Sequence, residues 1–297
     1  MRMRSLTATA AAITLALALA ACGDDDEDTA SEDTSSPSDS SSPSASAASG
    51  TLGRLQDSGK IVIGVKFDQP GVGEKDPATG ELTGFDIAIA KLIAEKLGID
   101  SDDIEFKETV SANREPFLKA GTVDLVIASY SITDDRRKVV SQAGPYYETG
   151  QQLLVREDDT SINGPDDLSG KKVCSVTGST SIKTVQEKYG AEPAPFSTYT
   201  ECVQQLLNES VDAVTTDGAI LLGYASKQPD KLKVVGDPFS QERYGIGFAF
   251  GDTQMCEFLT DTLQETFEDG SWAQAFADTL GKSGVSAPSV PTLDDKC

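Results

Sequence analysis

Histidine is missing from this 297-residue chain, and basic residues are scarce: 25 Lys and Arg stand against 48 Asp and Glu. The missing imidazole removes the commonest general acid–base group and the commonest neutral metal ligand. No Cys-x-x-Cys spacing is present either, so no zinc site is expected. Neither a G-x-S-x-G elbow nor a Walker A loop occurs, which argues against a serine hydrolase and an NTPase. No catalytic residue, metal or cofactor is therefore expected. A formal net charge of −23 argues against a nucleic-acid partner, because binding to the phosphate backbone rests on Lys and Arg.

The one long apolar run is at the start. M-R-M-R precedes the Ala/Leu-rich stretch Ser5 to Ala21, the charged and apolar regions of a secretory signal. Its apolar core is shorter than the about 20 residues that a membrane-spanning helix needs. The run ends Leu19-Ala20-Ala21-Cys22-Gly23, which is similar to the lipobox of bacterial lipoproteins. That likeness makes 1–22 a lipoprotein signal peptide, with Cys22 lipidated and the chain anchored to the outer face of the cell membrane. The plainer alternative is an ordinary signal cleaved near Ala21. Residues 23–50 are acidic, then rich in Ser, Pro and Ala. They hold too little apolar surface to offset the entropy of ordering, so they read as a disordered tether.

That tether carries 8 of the 48 acidic residues and the signal 2 of the 25 basic ones, which leaves 40 acidic against 23 basic residues from 51 to 297. A net of 17 negative charges suits a well-solvated extracytoplasmic protein. The roughly 245 residues fit one large or two moderate domains. Apart from Cys22, Cys174, Cys202, Cys256 and Cys297 form an even set in an oxidising compartment. Three pairings are possible. Proximity favours Cys174 with Cys202 and Cys256 with Cys297.

Apolar periodicity predicts strands at 60–66, 104–110 and 123–128, with helices at 85–97 and 114–120 between them. Beyond residue 149 it predicts strands at 151–155, 171–176, 211–215, 232–235 and 245–250. Helices are predicted from the Thr177–Ser181 stretch to Tyr189 and at 200–208, 217–226, 254–268 and 271–280. Repeated βα units give parallel sheets flanked by helices.

Ligands of open α/β sheets bind beyond the carboxyl ends of the strands. Just past 123–128 come Ser129, Ser131 and Arg136, and past 104–110 come Ser111 and Arg114. Two hydroxyls and a guanidinium suit the ammonium and carboxylate of a free amino acid. Ser179 and Thr180 open a helix and would present hydroxyls and amides to a carboxylate. Asp217 opens another helix and would supply negative charge for an ammonium. Each has a simpler reading: turn hydrogen bonds for the serines, capping for Ser179, Thr180 and Asp217, and solvation for Arg136 in D-D-R-R-K.

Gly84-Phe85-Asp86-Ile87-Ala88-Ile89-Ala90-Lys91-Leu92-Ile93-Ala94 resembles the signature of the family 3 solute-binding proteins of polar-amino-acid ABC transporters, with Ala88 where an acidic residue is usual. K-F-D-Q-P-G, S-A-N-R, S-Y-S-I-T-x-x-R and T-G-S-T-S-x-K are most similar to its glutamate-binding lipoproteins. The resemblance covers nearly all of 53–282. It implies an α/β, two-lobed periplasmic-binding-protein-like fold, each lobe a central mostly parallel sheet flanked by helices. Lobe 1 is expected at 51–148 and 247–297 and lobe 2 at 149–246, joined by hinge strands near 148–151 and 244–247.

The same resemblance implies Arg136, Ser131 and Ser179 at an α-carboxylate, and Ser129, Ser131 and Asp217 at an α-ammonium. It implies Lys66, Ser111 and Arg114 at the ligand side chain, with Tyr199 at the rim. Two cations there favour L-glutamate, with aspartate as a lesser option, over glutamine. The expected partner is an ABC permease, and a monomer is expected. Glutamine binding, amino-acid sensing without transport, and a dehydratase-like enzyme are the alternatives, the enzyme last.

Overall fold

The computed structural model describes residues 50–294 and 296–297. The expected signal peptide, Cys22 and the tether up to residue 49 lie outside the described residues. Among the described residues no helix is long and apolar enough to cross a membrane.

Helix α1 (Thr51–Ser58) stops at Gly59 in a left-handed conformation and leads into strand β1 (Ile61–Val65). A small antiparallel meander follows: β2 (Asp68–Gln69), β3 (Gly73–Lys75) and β4 (Leu82–Thr83). Helix α2 (Phe85–Lys96) starts against it. At Gly84, φ is 119° and a Cβ would lie 2.4 Å from the Val72 carbonyl, so this start requires glycine. Strand β5 (Ile104–Glu108), helix α3 (Arg114–Lys119), strand β6 (Leu125–Val126) and the short α4 (Asp134–Arg137) complete the first series.

Strand β7 (Ser141–Thr149) continues across Gly150 into β8 (Gln151–Arg156) of a second sheet. That sheet's series is β9 (Lys172–Val176), α5 (Thr180–Tyr189), β10 (Glu192–Phe196), α6 (Tyr199–Leu207), β11 (Ala213–Asp217), α7 (Gly218–Lys227) and β12 (Leu232–Val235). Strand β13 (Glu242–Phe248) returns to the first sheet, and α8 (Thr253–Asp269) and α9 (Ser271–Asp278) close the helical layer.

The first sheet has the order β5-β1-β6-β13-β7 and the second β10-β9-β11-β8-β12. In each, four of the five strands run the same way, and one antiparallel strand, β13 or β8, is inserted beside an edge. The two lobes are therefore mixed α/β sheets of matching design. They are tied by β7–β8 and by β13, which pairs with β7 from Glu242↔Thr149 onward.

Several elements differ from the periodicity. The 123–128 run is buried apart from the half-buried Asp124, yet its ladder is only Leu125–Val126. Asp124 spends its side chain on the Val62 amide (2.8 Å), and Ser129 turns away with φ 43°. Strand β7 was missed because Gly144-Pro145 reads as a turn. Strand β10, E-P-A-P-F, carries two prolines that only an edge strand tolerates.

One core spans both sheets. At its centre Phe85, Tyr146, Tyr147, Tyr244, Trp272 and Phe276 pack with ring centroids 5.6–6.3 Å apart, a range in which tilted and edge contacts are attractive. Disulfides join Cys174 to Cys202 and Cys256 to Cys297, the pairs that proximity favours. The first ties β9 to α6. Closing loops of this size stabilises a fold by ~3–4 kcal/mol in the chain-entropy account.

Candidate functional site

The carboxyl ends of the parallel strands from both sheets converge on one small cavity. Ser111, Arg114, Ser129 and Ser131 line it from the first lobe; Ser179, Thr180, Ser181, Tyr199, Thr216 and Asp217 line it from the second. Eight of the ten expected ligand residues are thus brought together. Lys66 and Arg136 are not in the lining. Each stands one bond behind it.

The first-lobe face is cationic. Burial, with Arg114 adding, draws the Lys66 ammonium down to about 7, and its Nζ donates to Ser111 Oγ at 2.8 Å. Arg114 is buried and donates to four backbone carbonyls: Ser111, Ala128, Ser129 and, across the cavity, Gly178 (3.1–3.2 Å). Four of its five N–H groups are committed. Arg136 donates to Ser131 O at 2.6 Å, to Gly178 O at 3.0 Å and to Glu115 Oε1 at 3.1 Å, and keeps two N–H groups. Both guanidinium groups lie over the Tyr130 ring, at 4.6 and 4.9 Å.

Ser129 owes its left-handed backbone to its neighbours. Its amide donates to Asp86 Oδ2 at 2.7 Å and its carbonyl accepts from Arg114, which holds a conformation that costs an ordinary residue about 1 kcal/mol or more. Asp86 also accepts from Tyr146 Oη at 2.7 Å, and burial raises its carboxyl to about 6.

The second-lobe face is built of hydroxyls and one carboxylate. Ser179 Oγ accepts from the Ile182 amide, so it caps α5 as the simpler reading held. Thr180 Oγ1 donates to Glu242 Oε2 at 3.0 Å. Asp217 makes no side-chain cap on α7. Its Oδ2 accepts from Tyr244 Oη at 2.5 Å, and its Oδ1 is buried without a hydrogen-bond partner among the described residues. Burial, with Glu242 adding, raises its carboxyl to about 7. Such an orphaned acceptor is costly unless something donates to it. Tyr199 Oη accepts from Thr216 Oγ1 at 2.6 Å.

Sequence reasoning missed Gly178, Glu115, Asp86, Thr216, Ser181, Tyr244 and Glu242. Gly178 had a legible signal in T-G-S. Its φ is 82°, and a Cβ would come within 2.9 Å of Ala112 in the facing lobe. The others are set by pairings between elements far apart in the chain.

The sequence pattern of "Bacterial extracellular solute-binding proteins, family 3" matches residues 61–282. A glutamate-binding protein, GluB, of Corynebacterium efficiens is 39% identical over 237 residues, covering 76% of this chain and 80% of that protein. The glutamine-binding protein GlnH of Bacillus subtilis is 37% identical over 228 residues, covering 76% of this chain and 83% of that one. Among solved structures, an ancestral arginine-binding protein bound to glutamine superposes with a TM-score of 0.71 at 37% identity. It covers 75% of this chain and 98% of its own.

Proposed function

The chain belongs to family 3 of the bacterial extracellular solute-binding proteins, and we propose that it captures a free polar amino acid, L-glutamate first, between its lobes and delivers it to an ABC permease. The observation that carries this reading is the buried, unpartnered Asp217 Oδ1 beside serine hydroxyls, opposite the Arg114 guanidinium, with Arg136 one hydrogen bond behind Ser131. An α-ammonium satisfies that oxygen, with Ser129 and Ser131 taking its other protons. The α-carboxylate goes to the two uncommitted N–H groups of Arg136, helped by Ser131 and by the amides that open α5. The ligand side chain then points toward Ser111, Lys66 and Arg114, with Tyr199 at the rim.

This reading divides the chain into lobes at 51–148 with 247–297 and 149–246. It makes Cys22 the lipidated anchor and 23–50 the tether, so Cys22→Ser should release the protein into the medium. The glutamate-binding relative at 39% identity supports the ligand.

A second reading, glutamine, is favoured by the glutamine-binding relative at 37% identity and by one observation of the site. Arg114 has a single uncommitted N–H, and Lys66 is held near 7, so full positive charge at the side-chain end is limited. Isothermal titration calorimetry against glutamate, aspartate and glutamine decides. One-to-one glutamate binding at least tenfold tighter than glutamine is the expected result. Equal or tighter glutamine binding would move the side-chain assignment to the second reading, and no heat with any of the three would overturn both.

A further inference from the structure

Residues 284–294 and 296–297 follow the last helices, and the Cys256–Cys297 disulfide ties the segment to α8. They return to the edge of the first sheet. The Asp294 amide donates to Gly144 O at 2.8 Å, and Cys297 O accepts from the Gln142 amide at 3.2 Å. The segment therefore covers part of the free edge of β7. Its side chain of interest is Asp294, under a quarter exposed, which pairs with two arginines at once: Oδ2 with Arg137 at 2.9 Å and Oδ1 with Arg243.

Each of those arginines adjoins a residue of the site. Arg137 follows Arg136 in α4, and also donates to Gln142 O at 3.0 Å. Arg243 lies between Glu242, which accepts from Thr180, and Tyr244, which donates to Asp217. The loop that carries Ser129 and Ser131 is joined to the same strand: Ile132 N donates to Arg243 O at 2.7 Å, Gly245 N to Tyr130 O at 2.9 Å, and Ser131 bridges Tyr244. Gln142, which the segment engages at its amide, donates through its side chain to Ser131 O. One carboxylate thus spans the short helix that holds Arg136 and the returning strand that holds Tyr244.

We propose that Asp294, held in place by the Cys256–Cys297 bridge, is a positioning residue for ligand binding. It fixes α4 against β13, and through them Arg136 and the Tyr244–Asp217 pair. The effect on affinity rests on the amino-acid reading above; the effect on backbone order does not. A carboxylate that serves only general stability would lower the melting temperature of its variant and leave affinity alone. A positioning residue lowers affinity as well, and the carboxylate can be restored one methylene longer.

The test uses the full chain and three variants: Asp294→Asn, Asp294→Glu, and Cys256→Ser with Cys297→Ser. Glutamate and glutamine are titrated calorimetrically, and hydrogen exchange is followed without ligand. Asp294→Asn is expected to weaken whichever ligand binds by five- to tenfold, and Asp294→Glu to recover at least half of that. The double serine variant should weaken binding equally, and adding Asp294→Asn to it should cost nothing more, because both changes act through one clasp. Amides of 131–137 and 242–248 should exchange faster in Asp294→Asn. Affinities within twofold of wild type, with unchanged exchange in those segments, would overturn the proposal. If neither ligand binds the wild type, the amino-acid reading fails, and exchange in the two segments alone decides for or against the clasp.

Discussion

The two faces of the cavity are unlike in how much of their hydrogen bonding they have already spent. The first-lobe side carries Lys66, Arg114 and Arg136, and more than half of their N–H groups are committed to Ser111 or to backbone carbonyls and Glu115. The second-lobe face carries one carboxylate with an oxygen left over. The first is a prewired source of positive field. The second is an unfilled acceptor. A zwitterion is recognised by both, but the ammonium end should be the more demanding, because no protein donor stands in for it.

The largest expected effect breaks the second face. Asp217→Asn leaves the shape and removes the charge, and should weaken amino-acid binding by 100-fold or more, since losing one partner of a buried charged pair costs about 2–5 kcal/mol. The protein itself should not suffer. The folded Asp217 carboxyl sits at about 7, above its usual 3.8, so its stabilising contribution is present below pH 4 and lost as pH rises through 7. At pH 8 the unliganded variant should melt at or above the wild-type temperature. A lower melting point together with intact binding would mean that Asp217 is only structural.

Next comes the first face. Arg114→Ala strips donors from Ser111, Ala128, Ser129 and Gly178 carbonyls and leaves Tyr130 without one of its two stacked cations. Unmet buried acceptors cost ~1–3 kcal/mol each before relaxation and water entry, so melting should fall by several degrees. Glutamate affinity should fall at least thirtyfold, and glutamine affinity by clearly less. An equal loss for both ligands would show that Arg114 acts on the backbone cradle rather than on the ligand side chain.

A smaller effect, about tenfold, separates the faces by pH. An ammonium ligand needs Asp217 ionised, against Glu242, Tyr244 and the two arginines that face it, so the affinity of a ligand with a neutral side chain, glutamine, should fall by about tenfold from pH 8 to pH 6. Lys66 works the other way. Surrounded by Arg114, Arg136, Asp68 and Asp86, it is held at about 7 and is mostly neutral at pH 8, whereas a side-chain carboxylate needs it charged. Glutamate should therefore show a bell-shaped affinity profile centred near 7, and glutamine a rise that levels off. A glutamate profile that matches glutamine's would remove Lys66 from the side-chain site.

The unlike faces also explain what the chain discloses in one dimension. The α/β repeat, the helix at Phe85 and the loop serines were legible because periodicity and strand-end placement are local properties. So was Gly178 in principle, through a glycine that a left-handed turn requires. Strands β7 and β10 were hidden by Pro145, Pro193 and Pro195, which read as breakers but sit at a sheet edge or in an irregular pairing. The state of each charge was not legible at all. That Arg136 is half spent on Glu115 and Ser131, or that Tyr244 satisfies one oxygen of Asp217 and not the other, depends on partners 5 to 27 residues away folded to one point. Sequence position names the groups; only packing says which lone pairs and protons remain.

The smallest prediction concerns a contact that joins the faces outside the cavity. Asp68, in the first-lobe meander, accepts from the amides of Tyr199 (2.7 Å) and Thr200 (3.4 Å), capping α6 of the second lobe from across the cleft. Tyr224 Oη donates to the Asp68 carbonyl, and Lys227 pairs with Glu74 beside it. These bonds exist only while the lobes are together, so they weight the closed state without touching the ligand. A side-chain cap is worth about 1 kcal/mol, which converts to about fivefold in an equilibrium constant. Asp68→Ala should weaken binding by that factor, expressed as faster dissociation with unchanged association. Asp68→Asn, which keeps an acceptor oxygen, should stay within twofold of wild type. Stopped-flow binding distinguishes the cases. A slowed association rate in Asp68→Ala would mean that the residue shapes the open entry rather than the closed clasp, and the two faces would then be coupled through the hinge strands, the Arg114 and Arg136 bonds to Gly178 O, and the ligand itself.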